Sequence, residues 1–144
     1  MTLQEIANIL DNAAQKAEAT NQLAAKEGYS LNEAYQIQKL AINNRIDRGE
    51  KIVGYKLGFT SKAKMEQMGV HDMIWGRLTN TMEIKINEAT NLDKYIHPRV
   101  EPEIAFLVKK DIDKQITEKE IPEYYEALAP ALEIIDSRYK NFKF

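Results

Sequence analysis

IHPRVEPEIAFLV, residues 96 to 108, sets two glutamates two positions apart at the head of a run that otherwise has the composition of a buried strand. Side chains alternate faces along a strand, so Glu101, Glu103, Ala105 and Leu107 share one side while Pro102, Ile104, Phe106 and Val108 share the other. Both faces turn apolar after Phe106. A strand with one wet face would carry polar residues at every second position; this one carries them only at its start, as two carboxylates at the rim of a covered site would.

Working outward, the downstream segment IPEYYEALA (121–129) places Pro122 where the first turn of a helix tolerates it, and Pro130 would stop that helix. ALEIIDSRY (131–139) then reads as an apolar strand, and DSRYKNFKF (136–144) as the lead into another. Upstream, IWGRLTNTM (74–82) and MEIKINE (82–88) read as irregular or short extended pieces. KIVGYKLGFT (51–60) has period two, with Val53, Tyr55, Leu57 and Phe59 on one face and Gly54, Lys56, Gly58 and Thr60 on the other. SKAKMEQM (61–68) reads as a short helix capped by Ser61 and ended by Gly69.

Two longer helices precede these pieces. Thr2 and Glu5 form a capping box ahead of Leu3, Ile6, Ile9, Leu10, Ala13, Ala14 and Ala17 at helical spacing. Ser30 and Glu33 repeat the signature before LNEAYQIQKLAINNRIDRG (31–49), which Gly49 would stop after a basic last turn. Helices first and strands afterwards point to an α+β fold rather than an alternating one.

At 144 residues the chain fits one domain, and 44% hydrophobic with 29% charged residues is ordinary globular composition rather than that of a disordered segment. A net charge of -2 and a pI near 5.8 argue against an electrostatic footprint for nucleic acid. The lack of cysteine removes disulfides, thiolate zinc sites and a cysteine nucleophile, and it fits a cytoplasmic protein. No stretch approaches membrane-spanning length, and MTLQEIANIL has no signal-peptide pattern.

Glu133 completes the chemistry that Glu101 and Glu103 begin. It lies among Leu132, Ile134 and Ile135, where a lone ionised carboxylate would cost several kcal/mol, on the order of the burial penalty of an uncompensated charge. Two readings are open. In one, three carboxylates converge on a hard cation such as magnesium, manganese or calcium. In the other, Glu101 and Glu103 line a solvated edge and Glu133 pairs with Arg99 or Arg138. Lys56, flanked by glycines, is either a ligand-binding cation approached closely by an anion or an exposed lysine between two bulges. His71 and His97 lack the spacing of a helical zinc motif and read as structural. No Walker loop, dinucleotide fingerprint or G-x-S-x-G elbow is present, which removes support for nucleotide-dependent chemistry.

GYKLGFTSKAKMEQMGV (54–70), IHPRVEPEIAF (96–106) and ALEIIDSRYKNFKF (131–144) together resemble the hydratase/decarboxylase group of the fumarylacetoacetate hydrolase superfamily, enzymes of meta-cleavage catechol degradation. The resemblance covers nearly the whole chain. It implies that Glu101, Glu103 and Glu133 hold one Mg²⁺ or Mn²⁺ and that Lys56 belongs to the substrate site. Where the group's hydratases carry an aspartate, this chain has Ile74 in MIWG, as its decarboxylases have an apolar residue there. It departs from the group at Met73, where a proline is usual.

The resemblance further implies decarboxylation of 2-oxohex-3-enedioate to 2-hydroxypenta-2,4-dienoate, with hydration of 2-oxopent-4-enoate as the alternative. Members of the group are longer, continuing with the remaining strands of a β-sandwich roll. The chain is therefore expected to be incomplete at its C-terminus, with residues 1–80 forming an N-terminal α/β region and 81–144 the first part of a metal-binding β-roll. An inactive fragment or partner subunit is the non-enzymatic alternative. Expected partners are a small 2-oxo acid, further copies of the chain and 2-oxopent-4-enoate hydratase.

Overall fold

The computed structural model describes residues 1–23 and 28–143. Phe144, the end of the DSRYKNFKF stretch, lies outside them. Helix α1 (Leu3–Lys16) begins at the expected capping box: Glu5 N–H donates to Thr2 Oγ1 at 3.2 Å, and Thr2 N–H donates to the Glu5 carboxylate at 2.8 Å. Ser30 and Glu33 repeat the exchange at 3.3 and 2.9 Å ahead of α2 (Leu31–Asp47). Gly49 then adopts φ 97°, a left-handed conformation that costs glycine no Cβ clash, and its N–H reaches Ile46 O at 2.8 Å.

The apolar stripes of α1 and α2 meet around Ile6, Ala7 and Ile37, with Leu3, Leu10, Leu23, Tyr29, Leu40 and Ala41 packed about them. Burying an isoleucine in such a cluster contributes about 1.5–3 kcal/mol. Beside it, the buried Asp11 carboxylate accepts two parallel hydrogen bonds from the Arg48 guanidinium, at 2.6 and 2.8 Å, which tie α1 to the end of α2.

Strands β1 (Ile52–Gly58) and β2 (Ile74–Thr79) form an antiparallel ribbon around α3 (Lys62–Met68), which Gly69 closes as read. The 74–79 stretch is a regular strand, whereas residues 83–88 of the expected extended piece contain none. β1 ends one residue before Phe59, whose φ of 54° breaks the extended run. At its end an added Cβ on Gly58 would lie 2.9 Å from Ile74 Cγ1 and 3.3 Å from Cδ1. Glycine there leaves the space that the Ile74 side chain fills across the ribbon.

α2 holds this ribbon through residues one turn apart. Tyr35 stacks on Trp75 with centroids 5.1 Å apart and accepts its backbone N–H at 3.2 Å. Gln38 donates to Trp75 O at 2.9 Å and accepts from Arg77 at 3.1 Å, while the Arg77 guanidinium lies 4.7 Å from the Trp75 ring centroid. At the other end Glu50 collects hydrogen bonds from Thr79 (2.5 Å), Thr81 (2.7 Å) and Arg45 (2.9 Å). Burial works against the Glu50 carboxylate, but these donors and the Arg45 charge outweigh it and hold its pKa below the ordinary value.

The second ribbon pairs β3 (Arg99–Val108) with β4 (Tyr125–Ile135). Here the helix expected over 121–129 is corrected: only Ile121–Glu123 makes a helical turn, and the chain is a strand from Tyr125 straight through Pro130. Pro130 lies opposite Ile104, and Pro102 opposite Leu132. Both prolines fall at ladder positions of the same parity, where the N–H points away from the partner strand, so neither removes a ladder hydrogen bond. Pairing along ten residues of β3 therefore overrides a local pattern that suits a helix.

β3 is not buried as its composition suggested: Val100, Ile104, Phe106, Leu128 and Leu132 all remain more than half exposed, because the described residues place no second layer on that face. The 136–143 segment is likewise not a strand. Thr20 and Tyr139 form a single parallel bridge that ties the end of β4 to the segment after α1, and Lys140–Phe142 is a turn. The architecture of the described residues is α+β, with two two-stranded sheets.

Two outcomes follow from the packing. Because the folded-state pKa of Glu50 is depressed, its stabilisation is present above the ordinary carboxylate pKa and lost as pH falls through the folded value. Urea midpoints of wild type and Glu50→Gln should differ at pH 7, with the wild type more stable, and draw together only as the pH falls from the ordinary carboxylate pKa of about 4.3 through the lower folded value. Gly58→Ala should cost about 1–3 kcal/mol by overpacking against Ile74, and much of that cost should vanish in the Gly58→Ala/Ile74→Ala double variant. Additive losses would show that the two side chains do not meet.

Candidate metal centre

Ladder register brings the three glutamates together. Glu101 and Glu103 share one face of β3, and Glu133 on β4 stands directly opposite Glu101, so all three project from the same side of the ribbon. Each offers a carboxylate oxygen within 4.8 Å of the others, and each residue is partly buried. Oxygens this close fit a shared hard cation with bonds near 2.1–2.5 Å, and the donor set is the one such cations favour.

The other ribbon contributes a positive charge. Lys56 on β1 forms an ion pair with Glu133 Oε2 and lies 3.8 Å from Glu103 Oε1. Glu133 Oε2 is shielded from solvent and receives no hydrogen bond in good geometry, so the Lys56 charge is its close compensation. The four groups together still carry two negative charges when ionised, three from the glutamates against one from the lysine. A divalent cation would balance them.

The alternative pairing of Glu133 with Arg99 or Arg138 is corrected by the geometry. Arg99 lies over the Phe142 ring, 3.6 Å from its centroid, and Arg138 donates to Asp136 O at 2.7 Å. Ile74 pairs with Gly58 and so shares the ribbon face of Lys56, two positions along and across from it. The glycine beside Lys56 at position 58 thus admits a neighbouring side chain, where the sequence suggested a ligand. His71 is exposed, and His97 packs edge-on against Phe142; among the described residues neither joins the carboxylate cluster.

Asp136 is a site-positioning residue that the sequence reading missed. Its carboxylate accepts the backbone N–H of Ile96 at 3.1 Å and of His97 at 2.6 Å, fastening the entry to β3 beside the exit of β4. The partner amides lie 40 and 39 residues away in sequence, and no local pattern announces them. Among the described residues no helix is long and apolar enough to cross a membrane.

No family model matches the chain. It is 50% identical over all 144 residues to a 4-oxalocrotonate decarboxylase of a Pseudomonas species, covering 56% of that protein. It is 37% identical over 116 residues to a 2-hydroxypent-2,4-dienoate hydratase of Pseudomonas putida, covering 79% of this chain and 52% of that one. Among solved structures it matches the 4-oxalocrotonate decarboxylase from Pseudomonas putida G7 complexed with magnesium and adipate, with a TM-score of 0.92 and 31% identity over 99% of this chain and 55% of the other. The same enzyme complexed with calcium and acetate matches with a TM-score of 0.89, at 30% identity over 96% of this chain and 54% of the other. The chain spans about half the length of the curated relatives it matches. The chain is thus similar to 4-oxalocrotonate decarboxylases in sequence along its whole length and in fold, and to a dienoate hydratase in sequence over about four fifths of its length.

Proposed function

We propose that this chain carries the metal-binding part of a divalent-cation-dependent decarboxylase that converts 2-oxohex-3-enedioate to 2-hydroxypenta-2,4-dienoate and CO₂. The observation that carries the reading is the triad of Glu101, Glu103 and Glu133, with oxygens within 4.8 Å of one another beside Lys56, in a chain half identical to a 4-oxalocrotonate decarboxylase. Mg²⁺ or Mn²⁺ is the proposed ion, and a solved relative is complexed with magnesium. A cation held there by Glu101, Glu103 and Glu133 would supply Lewis-acid stabilisation to a 2-oxo acid as CO₂ departs.

The chain's own residues do the rest. The three glutamates would hold the cation, all three projecting from the same face of the ribbon. Lys56 holds a substrate carboxylate or the charge that develops on the C2 oxygen. Ile74, on the same ribbon face, keeps the departing carboxylate poorly hydrated, which favours release of neutral CO₂. In this reading residues 1–80 are the scaffold that presents Lys56 and Ile74, and 81–144 are the first part of a β-sandwich roll whose further strands cover the exposed face of β3 and β4.

Hydration of 2-oxopent-4-enoate is the second reading, favoured by the identity to a dienoate hydratase. It needs a group that transfers protons to and from the substrate, and isoleucine at position 74 has none to give. A non-catalytic role as a metal-binding fragment or partner subunit is a third, and it draws on the exposed apolar residues of the second ribbon. The proposed enzyme is cytoplasmic and oligomeric, and it works beside 2-oxopent-4-enoate hydratase because a reactive dienol gains from direct handover.

Carbon dioxide release from 2-oxohex-3-enedioate with added Mg²⁺ tests the reading in an intact version of the protein. Glu103→Gln should lower it by a factor of about 100 or more, as loss of a charged ligand does, and Ile74→Asp should reduce it by setting a carboxylate beside a carboxylate. Rapid hydration of 2-hydroxypenta-2,4-dienoate with the dioate left untouched would favour the second reading instead. Sedimentation alone and with the hydratase should give species larger than the monomer; a monomer in both runs would remove the assembly from the proposal.

A further inference from the structure

We infer that Lys56 is a displaceable counter-ion of the carboxylate triad: its ammonium and a divalent cation compete for Glu133 and Glu103, and cation entry releases Lys56 toward the substrate anion. This deepens the metal reading above and rests on it. The consequence is an order of events, with the cation bound before Lys56 is free to engage a carboxylate.

The competition follows from shared partners. The Lys56 ammonium pairs with Glu133 Oε2 and approaches Glu103 Oε1, and these two carboxylates belong to the three whose oxygens cluster. A cation bonded to them at about 2.1 Å would sit within a few ångströms of the ammonium, where like charges repel strongly in a partly buried setting. Both cannot hold the same carboxylates at full strength. Glu133 Oε2 in turn needs one of them, since it is shielded from solvent and accepts no hydrogen bond.

The surroundings of Lys56 suit a side chain that leaves. Its same-face neighbours on β1 are Gly54 and Gly58, and its cross-strand partner is Gly76, so none of the three flanks its stem with a side chain. A Cβ at Gly54 would meet nothing within 4 Å, and one at Gly76 only Gln38 Nε2 at 3.9 Å. Open space therefore surrounds the stem on those sides, with Ile74 filling the Gly58 side. The ammonium also donates to the neighbouring Leu57 O, at 3.3 Å and exposed. The side chain is only 28% exposed, yet its ribbon neighbours leave it room, and the carboxylates at its tip are what a stronger charge can take from it.

Calorimetric titration of Mn²⁺ into the full chain at pH 8, compared among wild type, Lys56→Met and Lys56→Arg, tests this. Lys56→Met should bind Mn²⁺ about tenfold or more tightly than wild type, because a competing charge is gone, while Lys56→Arg should stay near the wild-type affinity. Thermal melts supply a second readout: Lys56→Met should melt lower than wild type without added metal and gain more on adding Mn²⁺. If wild type binds Mn²⁺ and Lys56→Met binds it no tighter, the counter-ion inference falls and the metal reading stands. Binding by none of the three proteins would overturn both. A Lys56→Met chain that folds only with Mn²⁺ supports the inference, since the ion then replaces the ammonium; one that stays unfolded at saturating Mn²⁺ overturns it.

Discussion

Three carboxylates on one face of a two-stranded ribbon repel each other, and the site depends on how that repulsion is relieved. At separations near 5 Å each pair costs between about 1 and 3 kcal/mol, according to how far solvent screens it. Antiparallel register leaves no alternative arrangement. With Glu101 opposite Glu133 and Glu103 two residues along, the charges share a face by construction. A slip of one residue would turn Glu133 to the other face and leave it beside Val100, Pro102 and Ile104 of β3.

Relief comes from a separate part of the chain, which explains why the helical region matters to the chemistry. Lys56 reaches Glu133 only because β1–β2 is held where it is, and Tyr35 and Gln38 of α2 hold it by gripping Trp75 and Arg77 of β2. α2 is fixed in turn by its apolar contact with α1 and by the Asp11–Arg48 pair. The hydrogen-bonded steps between α1, α2 and β2 join residues 37 to 40 positions apart, so the lysine is placed by a relay of packing rather than by any local motif. The Thr79, Thr81 and Arg45 donors around Glu50 secure the far end of the same ribbon.

The composition of the chain made its elements legible where the signal is local. Both capping boxes, the glycine stops at Gly49 and Gly69, the period-two pattern of β1 and the strand bearing Glu101 and Glu103 are all present as read, because a cap, a turn or an alternation involves residues a few positions apart. The identity of the three glutamates and of Lys56 as charged groups in otherwise apolar or glycine-rich runs was legible for the same reason. Residues 121–129 misled because helix-favouring residues and two prolines describe a helix locally, while ten residues of pairing with β3 decide for a strand.

What only the tertiary structure decided is who meets whom. Register put Glu133 opposite Glu101, the α2–β2 contacts brought Lys56 across to both ribbons' common side, and Asp136 closed the entry to β3 over a separation no pattern spans. The sequence alone determined which side chains could bear charge or bury apolar surface, since those are properties of single residues and their near neighbours. It left the partner of Glu133 open between Arg99, Arg138 and a cation. An ion pair is a distance between atoms remote in sequence, and that distance exists only once the strands and helices have packed.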